Sequence, residues 1–425
     1  MTVRVASFRA LRYRADRVGD LGAVWAPPYD VINAELAAEL RERSPYNIVR
    51  ITNPGGRDAE RYGEAARTLG AWVDDGVLAR EDHPAFYVHR HSFGFGGKVL
   101  KRTGIWSLLK LASFEEAVVL PHEGTMKGPK ADRLALMSAC RAQLSPIFFI
   151  SSDPEGQVSK LLRGVARKRP AERAEFPTGE GHEIWRVEKR QVQEQLSEAL
   201  QDQVFLIADG HHRYETALAY RDELAAGGAP AGGRGAHEYV LAYIVPESDP
   251  GLLLLPTHRT IGGEPVNWIG AALNAAADFE IVRLADSDLD SAQRMLEEEA
   301  GRPTFVLVAR NGPGGWLMRL RDANTQSAVS SVALHDSFLS GCLDLTWEEQ
   351  LERISYVKEA GEALRAVRSG SAQAAALLAA PRVAQVREAA ALGERMPPKT
   401  TFFWPKVPTG VAIRVVDAGE EVGDQ

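Results

Sequence analysis

One eleven-residue run constrains this chain more than any other: Phe205-Leu206-Ile207-Ala208-Asp209-Gly210-His211-His212-Arg213-Tyr214-Glu215. Four apolar residues with strand character stop at a carboxylate, a glycine, two imidazoles and a guanidinium, after which apolar residues recur at helical spacing. A strand that turns at glycine into a helix is the layout of an anion site. Asp209 is expected to cap the helix, Gly210 lets a ligand approach the backbone, and the N–H groups and positive dipole end of the helix suit a phosphate. Arg213 would add a bidentate grip. Neither His211 nor His212 tolerates burial without a partner, so both join Asp209 as candidates for chemistry.

The strand and helix signals alternate along all 425 residues, which predicts a mixed α/β (α+β) protein. Helices are expected around 34–43 and 58–75. A hairpin follows, from Phe86 to His91, through Gly94-Phe95-Gly96-Gly97, and back from Val99. Short buried strands are expected at 147–150 and 204–207, a helix from the Gly210 turn to about Leu224, and strands at 240–245, 252–255, 279–282, 304–308 and 316–320. The last eighty residues read strand, helix, strand, helix, strand. This pattern divides the chain into 1–265, a phosphate- or nucleotide-handling domain; 266–345, a small α/β domain; and 346–425, a segment returning to the core.

A net charge of −7 argues against a nucleic-acid partner. Cys140 and Cys342 match no metal or redox spacing, which points to buried thiols in a reducing cytoplasm. The N-terminus carries no signal-peptide apolar region, and no apolar run is long enough for a membrane span. A cytoplasmic protein acting on a small molecule is the expectation, with the oligomeric state open.

The loop Leu120-Pro121-His122-Glu123-Gly124-Thr125-Met126-Lys127-Gly128-Pro129-Lys130 supplies a second set of candidates. Glu123 beside His122 could act as a general base or hold a metal, and the alternative is a solvated loop. Lys127, Lys130 and Arg133 surround a helix start, as a polyphosphate would require. The expectation is one phosphate pocket assembled from this loop and the 209–213 turn. His258, in Thr257-His258-Arg259 at a strand end, could supply a third wall, and Lys399 could reach an anion; a surface pair and a docked C-terminal strand are the alternatives. His89 and His91 alternate on a strand and so share a face. They are metal-ligand candidates, although a half-exposed sheet face is the commoner case.

Pro27-Pro28-Tyr29-Asp30-Val31, Ser44-Pro45-Tyr46-Asn47, Pro121-His122-Glu123-Gly124-Thr125, Asp132-Arg133-Leu134, Asp209 to Ala217 and Met396-Pro397-Pro398-Lys399-Thr400-Thr401 together resemble a widespread bacterial family of unknown function, often labelled ParB-like. The resemblance spans nearly the whole chain. More distantly, the Gly210-His211-His212-Arg213 turn resembles the ParB/sulfiredoxin superfamily, which implies a ParB/sulfiredoxin-like core containing the strand-turn-helix unit. His211 stands where sulfiredoxins carry their cysteine, and His211-His212-Arg213 where partition proteins carry Glu-Arg-Arg. The free-serine kinase branch is the nearest in this turn. That likeness implies a nucleoside di- or triphosphate, ATP or ADP, with Mg²⁺; Asp209 near the reacting hydroxyl or the Mg²⁺; and Gly210 and Arg213 on phosphate. A phosphotransferase acting on a small polar metabolite, with serine or a relative as the candidate acceptor, is the leading expectation. A metal-assisted phosphate ester hydrolase using His122, Glu123, Asp209, His211 and His212, and a non-catalytic nucleotide-binding module, are the competing ones.

Overall fold

The computed structural model describes residues 5–56, 59–124, 127–229, 233–299, 302–310, 312, 314–322, 329–417 and 420–422. The chain is a mixed α/β protein that divides into two compact units. The first comprises 1–120, 125–253 and 405–425; the second comprises 121–124 and 254–404. This differs from the sequence-based division. The stretches 266–345 and 346–404 share one unit because their strands interleave in one sheet, and the tail from Pro405 returns to the first unit.

A nine-stranded mixed sheet organises the first unit. Its strands are β1 (Val5–Ala6), β2 (Phe86–Phe95), β3 (Lys98–Lys110), β4 (Val119–Leu120), β5 (Ile147–Ser151), β6 (Glu172–Glu175), β7 (Gly181–Val187), β8 (Phe205–Asp209) and β9 (Tyr239–Pro246). They run in the order β4-β8-β5-β9-β3-β2-β7-β6, with β1 added beside β3. The β2–β3 hairpin is longer than its sequence suggests: pairing continues to Phe95 and Lys98. The reversal is left to Gly96 and Gly97, with φ of 56° and 74°, the conformation a two-residue hairpin turn needs. Helix α1 (Lys127–Cys140) follows the loop after β4, and α2 (His211–Ala226) follows β8. One face of the sheet carries an apolar core that includes Phe149, Phe205, Ile207 and Ile244, into which α2 inserts Tyr214 and Ala217.

The second unit is an antiparallel six-stranded sheet covered on both faces. Its strands are β10 (His258–Ile261), β11 (Phe279–Leu284), β12 (Thr304–Ala309), β13 (Gly315–Leu320), β14 (Ile354–Val357) and β15 (Ala374–Leu378), in the order β11-β13-β12-β15-β10-β14. Along β12, Phe305, Leu307 and Ala309 enter one core while Val306 and Val308 enter the other. The period of two thus explains an unbroken apolar run: both faces are buried, so neither alternation is polar. Among the described residues no helix is long and apolar enough to cross a membrane.

Candidate functional site

The 205–215 segment forms the expected strand, turn and helix, with one difference in the turn. Asp209 is the last residue of β8, where the pairing with β5 shifts register, and Gly210 is the residue that caps α2, with φ of 100°. A side chain at 210 would be strained in that conformation and its Cβ would lie 3.0 Å from the Arg213 guanidinium. Asp209 therefore does not cap the helix. Its carboxylate is turned to two cations instead: Arg213 Nη2 donates to Oδ2 and Lys406 Nζ to Oδ1.

These pairs are nearly dry, with side-chain exposures of 11% for Asp209, 12% for Arg213 and 16% for Lys406. Desolvation pushes the Asp209 pKa up, but the Lys406 ammonium and then the Arg213 guanidinium pull it down further, well below the usual carboxylate range. Asp209 is thereby a firm anion and a poor proton acceptor. Arg213 also donates through Nη1 to the Pro146 carbonyl, so the guanidinium is braced from both ends. Lys406 escapes sequence reasoning because nearly two hundred residues separate it from its partner.

A cavity of about 60 Å³ opens beside this turn in the first unit. Arg133, Arg213, Tyr29 and Thr52 line it together with apolar residues such as Leu136 and Ile147. The Arg133 guanidinium lies 4.1 Å from the Tyr29 ring centroid and donates to Asp132 and to the Thr52 carbonyl. Burial raises the Tyr29 pKa, with Arg213 and Arg133 opposing it. Asp132 in turn accepts from Arg61 and from the Tyr62 hydroxyl, at 2.6 and 2.7 Å. Lys130, paired with Glu215 at 2.8 Å, completes the cations that the structure shows on α1. The side chain of Lys127, like Thr125 and Met126, lies outside the described residues. His211 is buried and His212 half-buried in the first turn of α2. The Thr216 hydroxyl caps the His212 carbonyl at 2.7 Å.

Glu123, His258 and Lys399 belong to the second unit, where they build a different arrangement. Glu123 Oε1 accepts from the Lys399 backbone N–H at 3.2 Å, and Lys399 has a left-handed backbone with φ of 58°, uncommon for a side-chain-bearing residue. His122 Nε2 lies 2.7 Å from the Thr401 hydroxyl. His258 is not an open wall: it is buried, and its Nδ1 accepts from the Leu378 N–H at 3.1 Å. Burial, with Arg259 adjoining, lowers its pKa to about 4. Arg259 is the residue here that sequence reasoning undervalued. It is fully buried, donates to the carbonyls of Thr257, Pro398 and Lys399, and lies 5.3 Å from the Tyr356 ring centroid. Burial pushes its pKa down to about 10, with Tyr356 and Glu123 acting against the fall.

Chain-wide comparison adds a family. Residues 5–338, most of the chain, match the family described as proteins of unknown function, DUF1015. The chain belongs to the DUF1015 family. No curated protein matches this DUF1015 chain. Solved structures similar to it include a conserved hypothetical protein from Pyrococcus furiosus, at 15% identity over 73% of this chain and 95% of that one, with a TM-score of 0.36. A free serine kinase in complex with AMP shows 15% identity over 70% of this chain and 86% of its own, also with a TM-score of 0.36. SbnI from Staphylococcus aureus, with a C-terminal truncation, shows 10% identity over 72% and 87%, with a TM-score of 0.34.

Proposed function

We propose that the first unit of this DUF1015 protein binds the phosphate end of a nucleotide, ATP or ADP, and transfers a phosphoryl group to the hydroxyl of a small polar metabolite. The observation that carries this reading is the convergence of Arg133 and Arg213 on one cavity beside the Asp209-Gly210 turn at the start of α2. Phosphoryl transfer asks the protein mainly for positioning and charge neutralisation, and guanidinium groups supply both. The cavity, at about 60 Å³, is far smaller than the several hundred Å³ of a typical ligand site, so it suits a phosphate-sized group with the rest of the ligand outside. The sequence resemblance to free-serine kinases in the same turn supports the choice of a hydroxyl acceptor.

Mg²⁺ does not fit at Asp209, because both carboxylate oxygens already receive a cation, so Asp209 is assigned to holding Arg213 and Lys406 in place. The low proton affinity of Asp209 also favours a second reading, a module that binds nucleotide without turnover. The hydrolase reading has less support. Among the described residues, the cluster with metal-ligand spacing contains none of His122, Glu123, Asp209, His211 or His212.

Calorimetric titration with ATP and ADP tests the binding claim. Replacing Arg133 or Arg213 with alanine should each cost about 1.5–3 kcal/mol of affinity, the worth of a charged hydrogen bond; unchanged affinity in both variants overturns it. Release of ADP from ATP, or of AMP from ADP, in the presence of serine and related hydroxyl metabolites separates the kinase from the binding module.

A further inference from the structure

In the first unit, β2 pairs with β7 so that His182 sits directly opposite His91, and Ile184 opposite His89. Glu180, just ahead of β7, shares the face of His182 by the strand period of two. The ring centroids of His182 lie 4.2 Å from His91 and 5.2 Å from His89, and all three imidazoles are 1% exposed or less. Glu180, 21% exposed, stands at the mouth of the cluster beside Gly179, whose φ of 82° tightens the turn from β6.

A bland account would make these histidines core residues that satisfy one another. They do not: His182 Nε2 and His89 Nδ1 are buried among the described residues without a hydrogen-bond partner. An unmade bond of that kind is costly, and apolar side chains would avoid it. The hydrogen bonds that are made say what the orphan is for. His89 Nε2 and His182 Nδ1 are 3.0 Å apart, and with His182 as donor its Nε2 becomes a bare lone pair. His91 Nε2 is 2.9 Å from Glu180 Oε2. Each of His91, Glu180 and His182 offers one ligand atom, and the three lie within 4.8 Å of one another.

We propose that His91, Glu180 and His182 form a binding site for a divalent transition-metal ion of the zinc class. Two imidazoles and one carboxylate suit such an ion and not Mg²⁺ or Ca²⁺, which take oxygen donors. Three protein ligands leave a fourth position for water or an outside ligand. His89 is a positioning residue: by accepting the Nδ1 proton of His182 it fixes the tautomer and ring orientation. At His91 the ion takes the Nε2 lone pair and the proton there moves to Nδ1. Arg102 Nη2 then gives up its long 3.4 Å contact with that nitrogen while Nη1 keeps its 2.7 Å bond to the Pro405 carbonyl. Glu180 exchanges a hydrogen bond for a metal bond, and its charge offsets that of Arg102. The inference is independent of the phosphotransferase reading.

The test is titration of chelator-stripped full-length protein with ZnCl₂ alone, followed by calorimetry and thermal unfolding, with MgCl₂ in parallel. One equivalent of Zn²⁺ should bind and raise the melting temperature to a plateau, and Mg²⁺ should do neither. His182→Ala should abolish binding. Should that variant fail to fold, Glu180→Ala, on the surface turn, carries the test with an affinity loss of at least about tenfold. His83→Ala, at an exposed histidine, should change nothing. Absence of Zn²⁺ binding to the wild type, or equal affinity in Glu180→Ala, overturns the proposal.

Discussion

Two polar centres of the first unit, one nearly dry and one fully buried, solve the same problem in opposite ways. At the Asp209 turn the charge is kept: one carboxylate is matched by Lys406 and Arg213, and the group stays ionised although almost dry. In the ladder of His89, His91 and His182 the charge is given up. Burial first, then Arg102 and, for His89 and His182, a neighbouring histidine, hold all three imidazoles neutral, with pKa values well below 6.5. Paired ions are rigid but costly to break, because whichever partner remains is left charged in a dry place. Neutral imidazoles break differently, through protonation of the unfolded chain.

That contrast predicts its largest effect in acid. A histidine whose folded pKa is depressed binds its proton first in the unfolded state, so stability begins to fall as the pH drops through 6.5 and the loss is complete at the folded value. His258 and His335, both held down to about 4, should each cost on the order of 3 kcal/mol over that window, and the ladder adds to the loss. Asp209 works the other way. Its contribution is present above pH 3.8 and is lost only below that value, so it adds nothing to the fall. Urea midpoints measured from pH 7.5 to 4.5 check the pattern, and a flat profile would show that neither His258 and His335 nor the ladder is held neutral.

The next effect is a break in the charged centre at neutral pH. Asp209→Asn leaves two nearly dry cations facing a neutral amide and should cost about 3–5 kcal/mol by urea unfolding. Lys406→Met retains the Asp209–Arg213 pair and should cost less. Equal losses in the two variants would mean that the carboxylate is not the keystone. The smallest effect belongs to Lys130→Ala. Its partner Glu215 and the lysine itself are 24% and 38% exposed, so unfolding should shift by about 1 kcal/mol or less.

Much of the local structure was legible because it rests on local chemistry. The turn at Gly210 follows from a glycine between an apolar strand and helical spacing, and the paired strands β12 and β13 from apolar runs bounded by turn residues. What misled was the assignment of roles. Asp209 has the composition of an N-cap, yet the helix begins one residue later and the carboxylate serves an ion pair. The His89/His91 face, read as half-exposed, is buried: Trp25 and Phe176 pack on His182, and Tyr243 on His89. No periodicity in β2 alone could show that a neighbouring strand would lay a third histidine across it.

Sequence by itself determined the alternation of strands and helices, the glycine turn and the list of residues able to carry chemistry, since each depends on neighbours within a few positions. Tertiary structure decided which of them meet. Lys406 meets Asp209, and His182 meets His91, through contacts between residues far apart in the chain. It also decided ionisation, because a carboxylate or an imidazole takes its proton affinity from burial and from charges that the chain brings in from far away.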